Sequence, residues 1–198
     1  MKYIYILLFL PVFAFSQERL YVNASATGSN TGTSWADAHP DLQTALHKAK
    51  KGDTVWVAQG TYWPTQTNDR HIYFDLPSGV ALLGGFKGNE TRADERNWHE
   101  QPTVLSGDIG MFGDSTDNAY TVVYMHYPDS TTLLDGFTIE HGNADSIPPD
   151  WAFKPYYLKE TLGGGLYIMG QKGHAYPDIR NCTFRYNYAI LGGGVYVN

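Results

Sequence analysis

The sequence predicts an all-β chain wound as a right-handed parallel β-helix, a solenoid with a short N-terminal capping helix, and three observations carry that prediction. Short strand-like runs separated by Gly, Asn and Pro fill the chain from Thr54 onward. Two copies of one pattern follow each other toward its C-terminal end, and within each copy the apolar positions switch parity. Composition agrees. With 198 residues, 42% hydrophobic and 17% charged, the chain can bury the core of one ordinary domain, which excludes a disordered tail or a coiled coil. Its 21 Gly and 15 Tyr suit an all-β protein with many tight corners.

Charge and cysteine content narrow the function classes. Lys plus Arg is 14 against 20 for Asp plus Glu, so no basic stripe is available to neutralise phosphates, and no nucleic acid is expected as a partner. A single cysteine, Cys182, excludes an internal disulfide framework and a multi-cysteine metal site.

Residues 1–16 read as a secretory signal peptide: Lys2, an uncharged run from Tyr3 to Phe15, then Ala14-Phe15-Ser16 ahead of Gln17. Cleavage is expected after Ser16. The apolar run is shorter than the ~20 residues a membrane-spanning helix needs, and Pro11 interrupts it. No transmembrane helix is expected in the mature chain. Next, residues 17–62 are expected to form an N-terminal cap. Arg19-Leu20-Tyr21-Val22-Asn23 alternates like a strand, and Leu42, Ala45, Leu46 and Ala49 stand at helical spacing behind Asp41 as a cap. Residues 63–198 are expected to form the coils, apparently incomplete at the C-terminus. The expected strands begin with Thr54–Ala58 in the cap, then run over Ile72–Leu76, Val80–Leu83, Thr103–Leu105, Tyr120–Met125, Leu133–Glu140, Gly165–Met169, Ile179–Arg185 and Val195–Asn198.

The repeat decides between a sandwich, a barrel and a solenoid. Leu134-Asp135-Gly136-Phe137-Thr138-Ile139 matches Ile179-Arg180-Asn181-Cys182-Thr183-Phe184, and Gly163-Gly164-Gly165-Leu166-Tyr167-Ile168 matches Gly192-Gly193-Gly194-Val195-Tyr196-Val197. The first copy carries an insert between Ala144 and Gly163, rich in Pro and aromatics. Within a copy, Leu134 and Ile139 have opposite parity, as do Ile179 and Phe184, so one unbroken strand cannot turn both inward. Gly136 and Asn181 sit between them, the residue types that most readily accept positive φ. Each copy therefore reads as strand, tight corner, strand, and stacking of such units gives a solenoid.

Residues 18–198 resemble the pectate-lyase-like β-helix surface proteins of Bacteroidetes type, with repeats similar to those of the chlamydial polymorphic outer membrane proteins. The resemblance rests on Thr33-Ser34-Trp35-Ala36-Asp37-Ala38, on Gly52-Asp53-Thr54-Val55-Trp56-Val57-Ala58-Gln59-Gly60-Thr61-Tyr62, on Gly84-Gly85-Phe86, Arg96-Asn97-Trp98 and Leu105-Ser106-Gly107-Asp108, and on the F-x-x-N of Phe184–Asn187 with the G-G-x-V of Gly192–Val195. It implies an exported protein, extracellular or on the cell outer surface rather than periplasmic.

Candidate sites are few. Asp108, Asp114 and Asp117 form the densest acidic cluster, with Gly110 and Gly113 to let the backbone fold around a Ca2+ ion; the competing reading is a polar loop whose carboxylates bond their own turns. Trp63, Trp98, Trp151, Tyr156 and Tyr157 fall in expected loops or in the insert, where flat rings could stack on sugars or close loops over the core. No catalytic residue is assigned, because the converging carboxylates of hydrolytic β-helices and the clustered acids with a neighbouring base of the lyases are both missing from the pattern. No cofactor is expected apart from that Ca2+ alternative. The function expected is a non-catalytic scaffold for adhesion or glycan contact, with a surface polysaccharide as partner and further coils or self-association at the C-terminal edge. The alternatives are a polysaccharide lyase or glycoside hydrolase, and a truncated fragment of a longer surface protein.

Overall fold

The structure is a computed structural model that describes residues 17–146, 160–170 and 176–198. The expected leader 1–16 lies outside the described residues, as do Trp151, Tyr156 and Tyr157 of the insert. Strand β1 (Arg19–Val22) is followed by helix α1 (Leu42–Lys48). Asp41 starts the helix by accepting the Thr44 N–H at 2.8 Å, and Leu42, Ala45 and Leu46 are its buried face. That face covers one end of the core, against β1, β2 (Thr54–Ala58) and β4 (Phe74–Asp75).

The remaining strands are β3 (Gly60–Tyr62), β5 (Ala81–Phe86), β6 (Thr103–Ser106), β7 (Val123–His126), β8 (Leu133–Asp135), β9 (Phe137–Glu140), β10 (Asn143–Ala144), β11 (Leu166–Met169), β12 (Asp178–Arg180), β13 (Thr183–Arg185), β14 (Tyr188–Ala189) and β15 (Val195–Val197). They pair in parallel, in the orders β1-β2-β5-β8-β12, β13-β9-β6-β3, β15-β11-β7-β4 and β10-β14.

The expected fold class, an all-β right-handed parallel β-helix, is corrected by this topology. The described strands divide into four separate small parallel sheets accompanied by one helix, and wholly parallel sheets are the kind found in α/β chains. The repeat identifies which residues stand side by side, and that register does not by itself dictate how the sheets are connected. Corners interrupt the ladders: Gly136 has φ +86° and separates β8 from β9, and Asn181 has φ +49° and separates β12 from β13.

Register follows the repeat. Leu134 stands beside Ile179 and Ile139 beside Phe184, while Leu166 pairs with Val195 and Ala144 with Ala189. One core receives the inward residues of the three larger sheets, including Val55, Leu82 and Leu134, Tyr62, Leu105 and Ile139, and Phe74, Val123 and Leu166. Burying such side chains contributes about 1.5–3 kcal/mol each before the ordering entropy is subtracted.

Candidate functional site: a tryptophan-walled groove

Trp98 lies between β5 and β6, and local backbone chemistry decides where it sits. Gly85 has φ +85°, and a Cβ there would stand 2.8 Å from the Trp98 backbone nitrogen and Cα. Only glycine lets the two segments approach so closely. The crossing is fastened by the Asn97 N–H donating to the Gly85 carbonyl at 2.8 Å. Arg96 then reaches inward, donating to the Gly84 carbonyl at 3.2 Å and pairing with the Asp135 carboxylate, both side chains being largely buried. Its guanidinium carbon lies 5.2 Å from the Trp98 ring centroid, so the buried cation also backs the indole. Asn181 completes the anchor by donating to the other Asp135 oxygen at 2.7 Å.

The groove that results has a volume of about 400 Å³. Trp98, His99 and Pro102 line it together with Thr138, Asn181 and Thr183. Thr138 and Thr183 are direct neighbours on β9 and β13, so their hydroxyls repeat at the strand spacing along an outward face. Such a lining offers a flat apolar ring opposite a row of small hydrogen-bonding groups. Cys182 also borders the groove but is no nucleophile: burial pushes its thiol up to about 11, and its Sγ lies 3.7 Å from the Leu134 carbonyl.

A second concavity, about 320 Å³, is lined by Trp63, Thr65, Asn68, Asp108, Ile109 and Phe112 among others. It brings one expected stacking residue beside one expected calcium ligand. The three acids of the loop are otherwise used locally. Asp108 accepts the Gly113 N–H at 3.0 Å, Asp114 accepts the N–H and hydroxyl of Thr116 at 2.9 and 2.7 Å, and Asp117 accepts the Met111 N–H at 2.7 Å. The Thr116 hydroxyl and N–H hold the Asp114 carboxyl below its ordinary range. Among the described residues no group of three or more His, Cys, Asp or Glu is arranged to hold a metal ion.

Sequence reasoning missed a column of tyrosines. Tyr124, Tyr167 and Tyr196 occupy one register position on β7, β11 and β15, with Tyr73 packed beside Tyr124. Ring centroids are 5.0, 5.2 and 5.6 Å apart along the series. The signal was present in the repeat, where Tyr167 falls on Tyr196. Likewise Trp56 stacks on Phe86 at 4.5 Å and joins Tyr21 and Trp35 in an aromatic cluster outside the main core.

No family model, curated protein or solved structure matches the chain. Among the described residues no helix is long and apolar enough to cross a membrane.

Proposed function

We propose that the protein is an exported, non-catalytic scaffold, extracellular or at a cell outer surface, that contacts glycan chains through the Trp98 groove. The observation that carries the reading is the pairing of a buried-arginine-backed indole with the Thr138–Thr183 row across an open groove. A pyranose ring presents an apolar C–H face and a rim of hydroxyls, which calls for an aromatic face and polar partners at fixed spacing. The Trp63 concavity is a second contact point of the same kind. Self-association, or addition of further strands, is proposed at the sheet edges formed by β12, β13 and β15, whose backbone groups face outward.

A glycan array read together with a turnover screen on pectin, alginate and glycosaminoglycans tests the proposal. Binding to one class of glycan without product formation is expected. Turnover, or an array with no binding at all, would refute it.

A further inference from the structure

Away from the Trp98 groove, a cavity of about 270 Å³ opens where the tyrosine column meets the segments before β4 and β7. Tyr73, Tyr120 and Tyr124 line it with Arg70, His71 and Glu160. We propose that this cavity binds a small organic ammonium compound, the cation resting against the tyrosine rings and balanced by Glu160.

Size is the first argument. Drug-sized ligands occupy pockets of about 300–1000 Å³, so a smaller space with three aromatic walls suits a compact group rather than an oligosaccharide. Charge is the second. Among the described residues a single guanidinium lines the cavity, and it is already committed: Arg70 donates to the carbonyls of Asn118 and Asn143 at 2.7 and 2.8 Å and to Asp145 at 2.7 Å, and lies 4.0 Å over the Tyr120 ring. Asp145 offsets its charge. Glu160 then stands as a second carboxylate, 3.4 Å from His71 Nδ1, and Asp75 stands beside Tyr124 in the parallel register of β4 and β7. Among the described residues the carboxylates of Glu160, Asp145 and Asp75 around the cavity outnumber the Arg70 guanidinium, a balance that repels uronates and phosphates and attracts cations. Ring geometry is the third. His71 meets Tyr120 edge-on at 5.1 Å and Tyr73 meets Tyr124 at 5.0 Å, so aromatic surfaces border the space from two sides. A cation within about 6 Å of such rings is attracted by their quadrupoles, the more so where water is partly excluded.

The test is titration of the folded, full-length protein with choline and with its neutral carbon isostere 3,3-dimethylbutan-1-ol. Choline is expected to bind at least tenfold more tightly than the isostere at pH 7.5. Glu160→Gln, which keeps the side-chain shape, is expected to remove most of the preference for the cation. Trp98→Ala is expected to leave choline binding unchanged, which separates this site from the glycan groove. Equal binding of choline and the isostere, or no saturable choline signal up to millimolar concentrations, would each overturn the proposal.

Discussion

Residues 133–140 and 178–185 carry the same repeat, yet they live in different surroundings. In the first copy Leu134 and Ile139 are fully buried, because β8 and β9 have a parallel neighbour on each side. In the second, Ile179 and Phe184 occupy the equivalent register but are only partly covered. The third sheet repeats the contrast: Leu166 is 0% exposed and Val195 38%, Ile168 3% and Val197 58%. At the opposite end of the core, α1 lays Leu42, Ala45 and Leu46 over the first strands. Identical pattern thus gives identical register but not identical burial. Burial depends on what lies next to a strand, and it decides how much each side chain contributes.

The largest expected effect is on the buried ion pair at the first copy's corner. Asp135→Ala leaves Arg96 without its carboxylate among buried groups, and about 3–5 kcal/mol of stability should be lost in denaturant unfolding. In the second copy the pair Asp178–Arg180 is exposed, and Asp178→Ala should cost less than about 1 kcal/mol. Similar costs at both positions would break the comparison.

Next in size are the apolar rungs. Leu134→Ala should destabilise by about 2–5 kcal/mol, since it removes the side chain and leaves a cavity. Ile179→Ala, one strand further out, should cost roughly half as much or less, because its partial exposure lets water and neighbours fill the gap.

A third effect sharpens the capped end. His39 is buried beside α1, and its Nε2 lies 3.3 Å from Lys48 Nζ, where a neutral ring accepts from the ammonium. Burial, and then the Lys48 charge, holds its pKa below the ordinary histidine value. A base whose folded pKa is depressed gives stability that is present above the unfolded pKa and lost as pH falls toward the folded one. Stability should therefore decline as pH drops from neutrality through the range just below the ordinary histidine value. His39→Gln should flatten that decline, as read by thermal unfolding across pH.

The smallest effect concerns the acidic loop. Calcium at 100 times a dissociation constant would stabilise the fold by about 2.7 kcal/mol. With Asp108, Asp114 and Asp117 each closing a turn, millimolar calcium should leave the melting temperature within error. A rise that disappears in Asp114→Ala would show that the loop opens to take the ion.

Much of the local structure was legible from the chain. Asp41 announces α1 because its carboxylate can meet the orphan N–H of Thr44, and the parity switch across Gly136 and Asn181 announces corners because a strand alternates faces. Sheet connectivity was not legible. The repeat reads as one wound ladder, whereas positive-φ corners divide the strands among separate parallel sheets. Of the expected stacking residues, Trp98 and Trp63 each border a concavity. The partners that make those concavities come from distant segments: Thr138 and Thr183 reach Trp98 only through strand pairing, and Arg96 backs it only because Asp135 draws the guanidinium inward. Pairwise geometry of that kind leaves no periodic trace in sequence. The tyrosine column did leave one, since Tyr167 and Tyr196 share a place in the repeat, but its meaning emerges only when β7, β11 and β15 stand side by side.

Calorimetric titration of the best array ligand into wild type, Trp98→Ala and Trp63→Ala tests the proposed glycan contact at the Trp98 groove. Loss of a stacked aromatic face is worth roughly 0.5–1.5 kcal/mol beyond its buried area. Trp98→Ala should therefore weaken binding about tenfold or more while its melting temperature stays close to wild type, and Trp63→Ala should weaken it less. Unchanged affinity in a folded Trp98→Ala variant would contradict the account.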